Sequence, residues 1–292
     1  MKAIKNIIAI SISIAALMAI LYVYLVYKNN IDIQPIDNIT INKSLNKSIN
    51  WLKNNKDHLI KEDNPILWWF IYESAKVLGD ENLIEIVNEY REKTLGLNST
   101  WNLYFDKNSN NFTYFYGSLS SLPNYNKLFV YGLSCNKELG EEDFIQMQLQ
   151  SDFCNWSPFY SSCSTHQLMG LRFIQRNNCI PGKSISDVSG AIASNIKNQL
   201  TWDPRVGDVY IQRALMLQES NSNHLIKPIW ISNILNHQLE DGSWASFDPL
   251  ISLGDSKYIG FSYKFIDIRK PESNFHTTSQ AIYLLSLLAT TN

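Results

Sequence analysis

The chain lacks most of the signatures that announce a reaction. It has no Gly-rich phosphate loop, no nucleophile elbow and no convincing pair of carboxylates for acid–base work. It also has no long run of one charge. Its 25 Lys and Arg nearly balance 27 Asp and Glu, for a formal net charge of −2, so nothing points to a nucleic-acid surface. Cysteine is scarce, with four in all, and no two of them stand at the Cys-x2–4-Cys spacing of a zinc knuckle. Runs of clean apolar–polar alternation are few, which argues against a strand-rich fold. Neither a cofactor nor a metal is expected from what remains.

What is present is apolar and helical. The chain has 292 residues, 45% of them hydrophobic, enough for a packed core in one or two domains. From Ile7 to Tyr27 the sequence IIAISISIAALMAILYVYLVY carries no charge. At about 1.5 Å per helical residue this run spans roughly 30 Å, the thickness of a bilayer's hydrocarbon core. Lys2 and Lys5 precede it, Lys28 follows, and Tyr22, Tyr24 and Tyr27 crowd its far end like an interfacial aromatic belt. A cleaved leader would have an apolar stretch of about 7–15 residues and small residues at the cut, and neither is found. The expectation is therefore an uncleaved anchor over residues 1–28 and a juxtamembrane linker over 29–43. The main domain, 44–292, is placed outside the cytoplasm, in the periplasm or extracellular space. The cysteines agree with that compartment. Cys135, Cys154, Cys163 and Cys179 fall in one short window and read as two disulfides, with all three pairings open.

Past the linker, the chain reads as helices joined by polar turns. SLNKSINWLKNNK (44–56) has a Ser at its start and Leu45, Ile49 and Leu52 on one face. In NPILWWFIYESAKVLG (64–79), Pro65 suits the first helical position and Gly79 the stop. ENLIEIVNEYREKTLG (81–96) ends on a second Gly, whereas the aromatic-rich stretch 99–133 is the least readable part. Two later segments, CSTHQLMGL (163–171) and HTTSQAIYL (276–284), align without a gap. Ser164 with Gln167, and Thr277 with Gln280, fit capping boxes at the starts of equivalent helices. Ala281, Leu284, Leu285 and Leu288 continue the second as a core-facing stripe. A repeated hairpin array follows from this likeness.

The stretch HQLEDGSWASF (237–247) fits the same scheme. Apolar residues end a helix, Gln238 follows, Asp241-Gly242 makes a turn, and Trp244 returns over the helix end. SINWLKNNKD (48–57) looks like an earlier, degenerate copy. Gln238, Asp241, Gly242 and Trp244 resemble the Gln/Asp-Gly-x-Trp repeat of squalene–hopene and oxidosqualene cyclases. FHTTSQAIYLLSLL (275–288) resembles the helix that follows that repeat there and in protein prenyltransferase β subunits. The resemblance is specific from Ile229 to Leu288 and implies an all-α fold, an α/α toroid of helical hairpins around a central cavity.

The activity does not come with the resemblance. The cyclases use an Asp-x-Asp-Asp acid, and GEEDF (140–144), DPRVGD (203–208) and LEDGS (239–243) do not match it. The prenyltransferases hold zinc with an Asp, a Cys two residues later and a His on the next inner helix. Asp241 and His276 stand at matching places, but Ser243 replaces the thiolate, which is the softer and stronger ligand. If catalysis remains, His276 and Asp241 are the residues to carry it. His166, Trp244 and Tyr263 are the expected cavity residues, with Tyr258, Phe261 and Phe265 at the rim. The expected function is a membrane-anchored toroid that takes an apolar or extended ligand, a lipid or isoprenoid among them, or a protein partner. An enzyme acting on an isoprenoid or a peptide is the alternative.

Overall fold

A computed structural model describes residues 2–96, 99–106, 122–154, 162–180, 185–262 and 266–290. The first helix, α1 (Lys2–Lys28), stands clear of the rest of the molecule for most of its length. Ile8, Ile10, Ile12, Ile14, Leu17 and Ile20 are all exposed, so among the described residues no protein surface covers this part of the apolar run.

The expected linker over 29–43 is instead part of the domain. Asn29 is buried: its amide donates to the Leu200 carbonyl (2.6 Å), its side-chain oxygen accepts from Tyr210 (2.7 Å), and its carbonyl accepts from Trp230 Nε1 (2.9 Å). Asn30 donates to the Thr201 carbonyl and accepts from Lys227. Paired buried polar groups of this kind order the chain, whereas a free linker would leave them in water. The next helix, α2 (Asn38–Asn54), accordingly begins six residues before Ser44, capped by Asp37, whose carboxylate accepts from the Thr40 amide (2.8 Å).

Pro65 opens α3 (Pro65–Leu78), and Gly79 ends it in the left-handed conformation at φ 66°. Asp80 caps α4 (Glu81–Tyr90), which runs on into a wide turn, Arg91–Leu95. A 3-10 turn (Thr100–Tyr104) leads to α5 (Asn124–Ser134). Then come α6 (Cys163–Asn177), α7 (Ser186–Trp202), α8 (Asp208–Glu219) and α9 (Pro228–Asn236), and the last helix is α10 (Phe275–Thr290). Cys135 pairs with Cys179, joining the C-terminal ends of α5 and α6, and Cys154 pairs with Cys163 at the start of α6.

The neighbours run in sequence. α3 lies against α10, α10 against α8, α8 against α6, α6 against α5, α5 against the 3-10 turn, and that turn against α3. α2, α4, α7 and α9 lie behind these helices. Large side chains fill the space between them. Trp68, Trp230, Tyr90, Tyr210 and Phe70 are each no more than 1% exposed, and burial of such a side chain stabilises by about 1.5–3 kcal/mol.

The all-α expectation needs one correction. Between α9 and α10 lies an antiparallel three-stranded sheet: β1 (Asp248–Gly254), β2 (Lys257–Phe261) and β3 (Ile266–Arg269). Asp255 and Ser256, both at positive φ (48° and 60°), close the first hairpin in the manner of a tight two-residue turn. The strands are four to seven residues long, too short for their alternation to stand out in the sequence.

Candidate functional site

Five helices begin around one cavity of about 540 Å³. Asn64 and Ile66 come from the start of α3, Tyr125 and Phe129 from α5, and His166 from α6. Asp208 and Gln212 come from α8, His276 from α10, and Trp101 and Tyr104 from the 3-10 turn. The first turns of helices leave backbone amides unpaired and carry a partial positive charge. Asp63, Asn126 and Ser162 add further polar groups to the wall, and Pro65, Leu122 and Val209 add apolar ones.

The segments expected to be equivalent do start two helices on this cavity, but neither forms a capping box. Ser164 already lies inside α6 and accepts from Asn195 and Gln199, while Gln167 donates to the carbonyls of Gln148 (2.8 Å) and Gln150 (2.7 Å). In α10 the cap is Asn274, whose side chain accepts from the Thr277 amide (2.9 Å), so Thr277 sits one turn into the helix. The hydroxyl and Gln positions therefore stitch neighbouring elements together. Thr165 donates to Gln212 (2.7 Å) and Thr277 to Asp208 (3.2 Å), a turn apart on α8.

The two imidazoles face the same space in different surroundings. His166 stacks on Tyr125, ring centroids 4.3 Å apart and nearly parallel. Burial, together with the nearby His276, pushes its pKa down to about 4, so His166 is neutral at physiological pH. His276 has its Nε2 3.8 Å from the Asp208 carboxylate and 2.8 Å from the Gln280 amide, while Asn64 approaches its Nδ1 at 3.4 Å. At least one imidazole ring nitrogen carries a proton, so at least one of these two amides turns its oxygen to the ring. Asp208 and the two amides thus leave His276 held on three sides, with a proton carrier's chemistry available at the cavity wall.

A second cavity of about 230 Å³ shares Asp208, Val209 and His276 with the first and extends to Arg205, Asp248 and Phe261. Behind it lies a buried charge network. Asp203 accepts from Arg205 (2.6 and 2.7 Å) and from the fully buried Arg213 (2.9 Å), and Arg213 donates on to Gln199. Burial alone would raise the Asp203 pKa, but the Arg205 hydrogen bonds and the Arg213 charge hold the carboxyl below its ordinary value.

Asp241 is placed apart from this chemistry. Its carboxylate accepts from the backbone and hydroxyl of Ser243 and from the hydroxyl of Ser273. Those bonds outweigh burial and lower its pKa. The carboxylate His276 meets is Asp208. Ser243 is fully buried as a donor to Asp241, so the Asp, Ser and His do not fit a zinc ion, and among the described residues no cluster of His, Cys, Asp and Glu has a metal-binding arrangement. Trp244 is buried in the joint, with its Nε1 donating to the Ile234 carbonyl (2.7 Å) and its amide to Thr278. Gln238 bridges Ser44 of α2 and the Gly242 carbonyl. Gly242 is required there: at φ +101° a Cβ would stand 2.6 Å from the Lys47 carbonyl oxygen. Tyr258 and Phe261 lie in β2, and Tyr263 and Phe265 fall outside the described residues.

No family model, curated protein or solved structure matches this chain. The chemistry therefore rests on the residues themselves. Sequence reasoning missed Asp208, Asn64, Gln212 and Tyr125. The available signal was position: each falls at or near the start of a helix, and Asp208 directly follows Gly207 at the start of α8.

Proposed function

We propose that the protein is a membrane-anchored, extracytoplasmic α/α toroid whose central cavity holds an apolar or extended ligand. The observation that carries this is the meeting of five helix starts around one cavity, with Trp101, Tyr104, Tyr125 and Phe129 on its wall beside His166, His276 and Asp208. The circuit of neighbours from α3 through α10, α8, α6 and α5 and back supports the toroid, as does the likeness of HQLEDGSWASF to the cyclase repeat. The uncovered apolar helix α1 supports the anchor, and two disulfides support an oxidising compartment. The wall mixes aromatic and aliphatic side chains with as many polar ones, which suits an extended chain that carries a polar head, such as an isoprenoid or a lipid.

An enzyme is the second reading, favoured by one feature: the Asp208 carboxylate beside His276, aimed at the cavity. It would use His276 as base or proton carrier and Asp208, rather than Asp241, to orient it. Native mass spectrometry of the full chain released from nanodiscs tests the ligand reading. A retained lipid-mass adduct, lost when Val209→Trp fills the cavity, is the expected result. An adduct equally retained by Val209→Trp, or no adduct in the natural chain, contradicts it.

A further inference from the structure

The sheet between α9 and α10 has two unlike faces. Register places Ile251 opposite Ile259 and Ile259 opposite Ile268, a row of three isoleucines across the strands, with Phe261 and Ile266 paired beyond them on the same side. The other face carries Ser252, Tyr258 and Arg269 in one row and Asp267 in the next. An amphipathic antiparallel sheet normally rests its apolar face on a core. Here Ile251, Ile266 and Ile268 remain 51%, 57% and 59% exposed. What stands nearest is the anchor: an apolar groove of about 350 Å³ lies between this face and Met18, Leu21 and Leu25 of α1.

The anchor is not free to swing away. Asn29 and Asn30 tie its C-terminal end into the domain, and further along the helix the Tyr22 hydroxyl donates to the Trp202 carbonyl (2.7 Å). Leu25 and Met18 lie three and ten residues before Lys28, about 5 and about 15 Å along the helix. A bilayer crossed by α1, with a core of roughly 30 Å, therefore has its outer half at the level of the sheet. Trp202, 53% exposed beside Tyr22, stands where an interfacial aromatic stands.

We propose that the apolar face of the sheet, together with Trp202, is embedded in the outer leaflet of the bilayer, with lipid acyl chains occupying the groove against α1. The polar face, with its Asp267–Arg269 pair, turns to the headgroups, and the unpaired strand edges hold the sheet at the headgroup–acyl boundary rather than deeper. This rests on the reading of α1 as a membrane anchor. The groove shares Asp203, Arg205 and Phe261 with the smaller cavity beside His276, so the embedded surface adjoins the ligand site.

All four native cysteines are in disulfides, so a single added cysteine is a clean labelling site. Full-length protein would be labelled with an environment-sensitive fluorophore at Ile268→Cys, and separately at Ile251→Cys, Met18→Cys and Glu138→Cys, then reconstituted in phosphatidylcholine vesicles. Lipids carrying a doxyl quencher near the top of the acyl chain, and aqueous iodide, report each site's surroundings. The expected result is several-fold stronger doxyl quenching at Ile268, Ile251 and Met18 than at Glu138, with iodide reversing that order. Iodide quenching at Ile268 and Ile251 alongside doxyl quenching at Met18 overturns the proposal and leaves the anchor intact. Shielding of both sheet positions from both quenchers also overturns it, because a protein surface then covers the sheet. A Met18 label untouched by doxyl lipid removes the anchor, and the proposal with it.

Discussion

The starts of α6 and α10 carry nearly the same residues and do different work. At α6, Ser164 is coupled through Gln199 to buried Arg213 and Asp203, Gln167 fixes two loop carbonyls, and His166 is packed flat on Tyr125. At α10 the corresponding Gln280 turns to His276, and Thr277 holds Asp208 in front of it. One start is bound into the scaffold; the other keeps a His and a carboxylate at the cavity wall. A shared pattern of buried hydroxyl and Gln therefore marks where these two helices begin, and the partner it meets decides whether the position is structural.

The largest effect is expected on the α6 side. Asp203→Ala leaves Arg213 buried without its counter-charge, which should lower unfolding stability by about 3–5 kcal/mol in urea titrations of the full chain in detergent. Asp208→Asn, at the α10 wall, should cost no more than about 1 kcal/mol in the same titration. Equal losses would remove the distinction between the two helix starts.

The two disulfides sharpen it at the ends of α6. Cys135–Cys179 closes a sequence separation of 44 and Cys154–Cys163 one of 9. On chain entropy alone their removal should cost about 4 and about 3 kcal/mol, so the paired serine variants at Cys135 and Cys179 should melt at the lower temperature. The reverse order would mean that the short loop at the start of α6 holds more native structure than its length implies.

Gln167→Leu strands two carbonyls and should destabilise by about 1–3 kcal/mol, whereas Gln280→Leu should change stability less and move the His276 resonance instead. Which of the two glutamines mattered for which purpose was not legible from the sequence. The residue pattern CSTHQ and HTTSQ placed two helix starts correctly, and Pro65, Gly79 and Gly96 placed boundaries, because those signals are local. The capping boxes failed because the hydroxyl and Gln side chains found partners on α7, α8 and a distant loop, which no local spacing encodes. Asp241 looks catalytic by analogy yet is absorbed by Ser243 and Ser273, whereas Asp208 is set aside with DPRVGD because only the fold brings it to His276. Residues 29–43 read as linker because NNIDIQPIDNITIN shows little helical pattern. What ties Asn29 and Asn30 into the domain is a pair of carbonyls some 170 residues away.

In the pH dependence, two histidines should oppose each other. His166 has a folded pKa of about 4, below its unfolded value of about 6.5. Its contribution is complete above about pH 6.5 and is lost as the pH falls towards 4. Burial lowers the His237 pKa, but the hydrogen bond (3.1 Å) and charge of Asp248 outweigh it and leave that pKa raised. The His237 contribution is complete below about pH 6.5 and is lost as the pH rises through the raised value. His166→Asn should flatten the acid side of the stability curve and His237→Asn the alkaline side.

The central claim is that the two unlike helix starts face one ligand cavity. The most direct test is a carbon–proton correlation spectrum of the full chain in nanodiscs, with its five histidines labelled at the ring carbon, titrated with farnesol as an apolar probe. His166 and His276 should shift together with one saturating midpoint while His58 and His224 stay in place. Movement of only one of the pair, or of neither at saturating probe, would contradict it.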